Sequence, residues 1–164
     1  MSLRYVTIAL LVAIGSILFA VENVVQTPFP WIRLGLANIV TLLALQWWGL
    51  KEALLILVLR VLLGSFLTGK FLHPAFVLSL SGGIVATLAM HVALVYKKRI
   101  FSLVGVSIVG ALAKNIAQLL VAYFLYVKQS MIITLLPLFL FSTLVTGIAV
   151  GILAHLLNQR IAPK

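Results

Sequence analysis

Long apolar runs, separated by short polar junctions, dominate the chain from end to end. Six runs can be distinguished, at about residues 5–25, 32–49, 53–69, 74–96, 101–127 and 131–157. A helix needs about 20 residues to cross a bilayer, and the length of each run is close to that. The second run is interrupted by Asn38, Thr41 and Gln46, so we expect it to be tilted, short or partly re-entrant. The pattern predicts an all-α integral membrane protein, a compact bundle of six transmembrane helices.

Composition indicates the same class of protein and excludes several kinds of functional site. Apolar residues make up 64% of the chain, charged residues 9%, and the mean hydropathy is +1.29, more than a soluble domain can hide in its core. The junctions are too short to separate domains, so residues 1–164 are expected to form a single transmembrane domain. The chain has no cysteine and no aspartate, and its acids are Glu22 and Glu52. Disulfides, thiol nucleophiles and paired carboxylates for a hard cation are therefore excluded.

The net charge of +10 is spread over short junctions rather than gathered on one amphipathic face, which argues against nucleic acid as a partner. With the amino terminus in the cytoplasm, seven basic residues fall on the inner side: Arg4, Lys51, Lys97, Lys98, Arg99, Arg160 and Lys164. Three fall outside: Arg33, Lys70 and Lys128. Because positive charge favours the cytoplasmic side, this asymmetry predicts that both termini are cytoplasmic.

Two basic residues lie in the middle of apolar runs, Arg60 in LILVLRVLLGSF and Lys114 in SIVGALAKNIAQLL. Each costs about 2.5 to 3.5 kcal/mol at the centre of a spanning helix, and neither is near enough to an end to reach water easily. Both are expected to face the bundle interior. Gln118 shares a helical face with Lys114, and Asn115 lies beside it. Gly64 shares a face with Arg60 and is expected to leave room for the guanidinium.

In the six-span topology, further polar residues fall in the outer half of the bundle, above these cations: Glu22, Asn23, Gln26, Arg33, Asn38, Ser79 and Ser81. Both glutamates lie near span ends, so neither is an evident counter-ion for Arg60 or Lys114. We therefore expect a pocket for a small ligand that carries negative charge or several hydrogen-bond acceptors. Its candidate residues are Arg60, Lys114, Asn115, Gln118, Arg33, Asn38 and Ser81. The alternative is that these side chains bind helix carbonyls and stabilise the fold.

Small residues at a spacing of four indicate where helices approach closely. Gly147 and Gly151 form such a pair in the last run, and ordinary helix packing explains it. Ala9 and Ala13 form a similar pair in the first run. They provide a smooth patch for another helix, within this chain or outside it.

Four sequence blocks carry a resemblance to a known family: PWIRLGLANIVTLLAL, LRVLLGSFLTG, LSLSGG and FSLVGVSIVGALAKNIAQL. In this order, over about residues 28–122, they resemble the prokaryotic Gx transporters, also called heptaprenyl diphosphate synthase component I. That family is similar in turn to the six-helix S components of energy-coupling factor transporters. The resemblance implies that Ala9 and Ala13 contact a coupling subunit and that residues 26–31 cap the substrate. Lys114 departs from the family pattern, where we expect His.

The resemblance implies two classes of function in a prokaryotic cell membrane. The first is the substrate-binding subunit of a small-molecule uptake transporter. It would need an ATPase partner, since the chain has no GK[ST] phosphate loop. The second is a non-catalytic membrane subunit of a polyprenyl diphosphate synthase or quinone pathway, because such synthases as a class bind magnesium through aspartate-rich motifs. We expect no enzymatic activity, metal or cofactor in this chain. A third class, a structural membrane protein without a ligand, would have an occluded centre.

Overall fold

The described part of the chain, residues 2–24, 35–96, 102–125 and 136–161 of a computed structural model, is helical and contains no β-strand. Its six helices follow the six predicted runs in order, which confirms the all-α class. They are α1 (Ser2–Val24), α2 (Ala37–Trp48), α3 (Leu50–Leu67), α4 (Pro74–Val95), α5 (Leu103–Leu125) and α6 (Leu136–Ile161).

Four of these helices, α1, α4, α5 and α6, are long and apolar enough to cross a membrane. Their outward faces carry many exposed large apolar side chains, which water would not tolerate over so much surface but lipid would. The helix α3 has 18 residues but includes three charged ones, Lys51, Glu52 and Arg60. The helix α2 has only 12 residues, about 18 Å at 1.5 Å per residue, and is shorter than the bilayer core.

Two glycines set the length of α2. Gly35 and Gly49 have φ values of 71° and 94°, in a region that side chains with a Cβ rarely adopt. Gly49 ends α2 and begins α3 at the same residue. Its N–H donates to the Leu45 carbonyl at 3.1 Å, while its own carbonyl accepts from the Ala53 N–H at 3.2 Å. The second predicted run is therefore a short helix that turns directly into the third.

The short helix α2 lies at the centre of the bundle, in contact with α1, α3, α4 and α6. Every residue of the stretch 39–45 is buried. Long α4, α5 and α6 pack beside one another, and the small residues of α6 face α5. A Cβ added at Gly151 would lie 2.6 Å from Val104 Cα, and one at Gly147 would lie 3.0 Å from Ile108 Cα. The predicted packing role of this glycine pair is confirmed.

Polar contacts show which helix ends lie together. Arg4, in the first turn of α1, forms an ion pair with Glu52, in the first turn of α3. Trp47, near the end of α2, donates from Nε1 to Asn158 Oδ1 near the end of α6, at 2.7 Å. Because α2 and α3 meet at Gly49, the start of α1 and the end of α6 lie at the same end of the bundle.

Candidate functional site

Arg60 lies inside the bundle, with 3% of its surface exposed. Its Nη2 donates a hydrogen bond to Asn38 Oδ1 on α2, at 3.0 Å, and its Nε has no hydrogen-bond partner. A buried donor without a partner costs about 1 to 3 kcal/mol, so native structures usually supply one. The charge predicted to face the interior therefore does so, and part of its hydrogen-bonding capacity is unused.

The space for the Arg60 side chain comes from α1, not from its own helix. A Cβ added at Gly15 would lie 3.0 Å from Arg60 Cδ. The prediction that Gly64 makes this room is wrong. Gly64 instead accommodates the Phe19 ring, since a Cβ there would lie 2.4 Å from Phe19 Cδ1. The two glycines thus allow two successive side-chain contacts between the parallel helices α1 and α3.

A small cavity adjoins the Arg60 side chain, and we call it the Arg60 cavity. Its lining residues come from α1 to α5: Phe19, Glu22, Ala37, Asn38, Arg60, Val61, Ser79 and Lys114. Its volume of about 10 Å³ is at the lower limit for a single water molecule. Both predicted cations, Arg60 and Lys114, are therefore brought together at one site, around a space much smaller than an organic ligand.

A second cavity shares Lys114 and Asn38 with the first, and we call it the Lys114 cavity. It is lined by Gly35, Asn38, Met90, Ser107, Gly110, Ala111, Lys114, Asn115, Thr146, Gly147 and Val150. Its volume is about 20 Å³, enough for one water molecule. Because Lys114 and Asn38 line both cavities, the two spaces are neighbours within one polar region at the centre of the bundle.

The other predicted site residues make contacts between or within helices. Asn115 Nδ2 donates to the hydroxyl of buried Thr143 on α6. Gln118 Nε2 donates to the Leu78 carbonyl at 3.1 Å, over Gly82, where a Cβ would lie 2.7 Å from Gln118 Cγ. Asn115 lines the Lys114 cavity, whereas Gln118 lines neither cavity.

Ser81 is also outside the cavity linings, and its hydroxyl donates to the Val77 carbonyl of its own helix at 2.8 Å. Its neighbour two residues earlier, Ser79, lines the Arg60 cavity instead. Predicted site residue Arg33 lies outside the described residues, and so does the predicted substrate cap at residues 26–31, which includes Gln26. The side chain of Asn23 is likewise outside the described part.

Glu22 belongs to the site and was missed as a partner of the cations. It lines the Arg60 cavity, interacts electrostatically with Arg60, and its Oε1 accepts from the Ala37 N–H at 3.4 Å. From the sequence, Glu22 was counted among the polar residues of the outer half but, because it lies near the end of a span, not as a counter-ion for the cations. The available signal was the helical spacing of Gly15, Phe19 and Glu22, which lie at i, i+4 and i+7 on one face of α1.

Ala9 and Ala13, predicted to contact a partner, are both exposed on α1. Ala13 borders an open, largely apolar groove of about 430 Å³ between α1 and α3, with Ser16, Ile17, Leu63, Phe66 and Leu67. The groove is much larger than either central cavity. It offers a surface for lipid or for another helix.

The described residues contain no group of three His, Asp or Glu side chains close enough together to hold a metal ion. The chemistry of the site is therefore carried by two cations, one carboxylate and several amides and hydroxyls. Such a group binds anions and hydrogen-bond acceptors.

These features define a helical protein with membrane-span helices and a polar centre. Comparison with protein families then identifies it more closely: the chain belongs to the heptaprenyl diphosphate synthase component I family, whose model matches residues 11–157. This confirms the resemblance to that family found in the sequence. Searches of curated proteins and of solved structures found no match.

Proposed function

We propose that this protein is the substrate-binding membrane subunit of a small-molecule uptake transporter, for a ligand that is anionic or rich in hydrogen-bond acceptors. The observation that carries the proposal is the position of Arg60. It is buried, has an unpartnered Nε, and shares a cavity with Lys114. Retaining two cations in an apolar bundle is costly, and binding an anion is the simplest function that compensates for the cost.

The proposed ligand site centres on the two cavities around Lys114 and Asn38. Each has room for about one water molecule, so binding requires the helices around it to separate. Arg33, Asn115, Gln118 and Ser81 complete the proposed set of ligand-binding residues. The two that line neither cavity, Gln118 and Ser81, join it only after that opening.

In this proposal all six helices lie in the membrane of a prokaryotic cell, with both termini in the cytoplasm. The common location of the start of α1 and the end of α6 supports an even number of crossings. Glu52 and Arg4, at that end, neutralise each other at least in part. Energy comes from a partner ATPase through a coupling subunit, which contacts the exposed surface around Ala9 and Ala13.

A second candidate function follows from the name of the family. The chain would be a non-catalytic membrane subunit of a polyprenyl diphosphate synthase, binding the diphosphate group of a substrate or product. The absence of aspartate from the sequence supports a non-catalytic role, since magnesium-dependent prenyl transfer needs carboxylate ligands. Arg60 and Lys114 would bind this diphosphate group, because guanidinium and ammonium groups both bind phosphate oxygens.

Mass spectrometry of small molecules released from gently purified protein tests whether the site holds a ligand. We expect wild-type protein to release an anionic or acceptor-rich molecule. Folded Arg60→Gln and Lys114→Gln variants should retain at least about tenfold less, as expected when one buried charge partner is lost. Arg160→Gln and Lys51→Gln are matched controls, since they make the same changes at exposed positions. Full retention by folded Arg60→Gln would show that Arg60 is structural.

Partners separate the two candidate functions. A transporter subunit should co-purify with an ATPase module, and uptake of the released molecule should depend on that module. A synthase subunit should co-purify with a soluble prenyl transferase and alter its product yield. Recovery of the transferase without any ATPase would reject the transporter proposal in favour of the second candidate.

A further inference from the structure

Glu22 is one of two acids in the chain, and it lies at the Arg60 cavity with both central cations. The other acid, Glu52, forms its ion pair with Arg4 at the end of the bundle, 30 positions further along the sequence and on a different helix. The site proposed to bind anions therefore already contains an anion from the protein itself.

Three groups that attract a carboxylate lie near Glu22. Arg60 and Lys114 line the same cavity, and the N–H of Ala37 at the start of α2 donates to Oε1 at 3.4 Å. The start of a helix carries a partial positive charge and unpaired N–H groups, so it adds to the attraction. A carboxylate in this environment is in the position that the charged group of an anionic ligand would take.

The size of the cavity excludes a second anion beside Glu22. About 10 Å³ is at the limit for one water molecule, whereas a phosphate or carboxylate group needs several times more space. Arg60 nevertheless has unused capacity, because its Nε has no hydrogen-bond partner. Even after the helices around the cavity separate, an incoming anion would be repelled by the Glu22 carboxylate and would compete with it for the same two cations.

We propose that Glu22 is an internal competitor for the anion site, and that a ligand binds by displacing its carboxylate from the cavity that Arg60 and Lys114 line. The inference rests on the proposed anion-binding function and specifies its ligand further. Removing the carboxylate leaves two cations without an acid between them. The favoured ligand group is therefore an oxyanion that carries two or more negative charges, such as a phosphate or diphosphate, either free or attached to a lipid chain.

The test is anion affinity of purified full-length protein, measured by titration with inorganic diphosphate and separately with geranyl diphosphate. Glu22→Gln keeps the size and removes the charge, and it should bind diphosphate about tenfold more tightly than wild type, the effect of losing one close competing charge. Glu52→Gln is the matched control and should leave the affinity unchanged. Adding Arg60→Gln to Glu22→Gln should abolish the gain in diphosphate affinity. A gain with geranyl diphosphate alone would identify the lipid-attached form as the ligand.

A folded Glu22→Gln variant that bound both inorganic diphosphate and geranyl diphosphate no more tightly than wild type would overturn the competitor role. If Arg60→Gln still weakened binding in that case, the proposed anion-binding function would stand and this inference alone would fail. If neither the Arg60 nor the Glu22 variant changed the affinity for diphosphate, the proposed anion-binding function and this inference would both fail.

A second measurement needs no variant and so does not depend on Glu22→Gln folding. In wild-type protein, diphosphate should expel the Glu22 side chain and increase its rate of carbodiimide modification, read by mass spectrometry. Glu52 serves as the internal reference and should react at a constant rate. A Glu22 rate that stays constant or falls as diphosphate is added would contradict displacement.

Discussion

Gly15 of α1 lies against the aliphatic part of the Arg60 side chain on α3, where an added Cβ would be 3.0 Å from Cδ and 3.4 Å from Cβ of the arginine. The position of the guanidinium in the site therefore depends on a residue that carries no side chain. A substitution at position 15 can move the charge without changing it.

We predict that Gly15→Val displaces Arg60 and weakens anion binding by about tenfold. Overpacking of this kind costs about 1 to 3 kcal/mol, so the free energy of unfolding should also fall. Gly83→Val is the matched control, because Gly83 packs against Leu57 and lines neither central cavity. Diphosphate titration and thermal unfolding in detergent measure the two effects. Loss of binding no greater in Gly15→Val than in Gly83→Val would refute a specific effect on Arg60.

The hydrogen bond between Asn115 and Thr143 connects α5 to α6 beside the Lys114 cavity. Thr143→Val keeps the shape of this fully buried side chain and removes the hydroxyl. We expect it to lower the free energy of unfolding by about 0.5 to 2 kcal/mol, the range found for hydrogen bonds between membrane helices. Denaturant unfolding in mixed micelles measures the change.

Thr146→Val serves as the comparison, because the Thr146 hydroxyl donates to the Ser142 carbonyl of its own helix at 2.9 Å. We expect a smaller effect there. Combining Thr143→Val with Asn115→Ala in a double-mutant cycle should give a coupling energy clearly above zero. Strict additivity would show that the bond contributes no stability.

Close packing of α5 on α6 leads to a third prediction. A Cβ at position 151 would meet the backbone of Val104, which cannot rotate away as a side chain could. Gly151→Leu should therefore separate the two helices and destabilise the fold by at least about 3 kcal/mol, above the usual range for overpacking. Ala149→Leu introduces the same residue on the exposed face of α6 and should be tolerated. Equal melting temperatures for the two variants would contradict this account of the contact.

Much of the fold could be predicted because the apolar residues of each helix form one long run, separated along the sequence from the next run. The shortness of α2 was only partly foreseen. Asn38, Thr41 and Gln46 signalled an interruption, but the positive φ angles that bound the helix occur at Gly35 and Gly49, and a glycine in a sequence does not reveal its φ angle. Helical periodicity describes one helix at a time and does not show how far it extends.

The candidate site shows the same division between local and tertiary information. Arg60 and Lys114 were found because their burial cost is a property of each residue and its own run. The roles of Gly15 and Glu22 were missed because they arise from the packing of α1 against α2 and α3. Gly64 was assigned to Arg60 since both lie on α3, yet the contact it makes is with Phe19 of α1.

The membrane topology can be tested cleanly because the chain has no native cysteine. Single substitutions Lys51→Cys and Gln159→Cys place a thiol at the end of the bundle that holds the start of α1 and the end of α6. Leu72→Cys places one at the opposite end, in the exposed connection between α3 and α4. If α1, α3 and α6 all cross the bilayer, a membrane-impermeant maleimide applied to intact cells should label position 72 and spare 51 and 159.

Inverted membranes should reverse this labelling pattern, with 51 and 159 reactive and 72 protected. The connection between α3 and α4, residues 68–73, is a short turn in which the Lys70 N–H donates to the Ser65 carbonyl at 2.9 Å, so it is too short to be drawn across the membrane. Labelling of position 72 from the same side as position 51 would mean that α3 does not span the membrane. In that case Arg60 would lie near an interface, where water could solvate it, and the reason for giving it an anionic ligand would disappear.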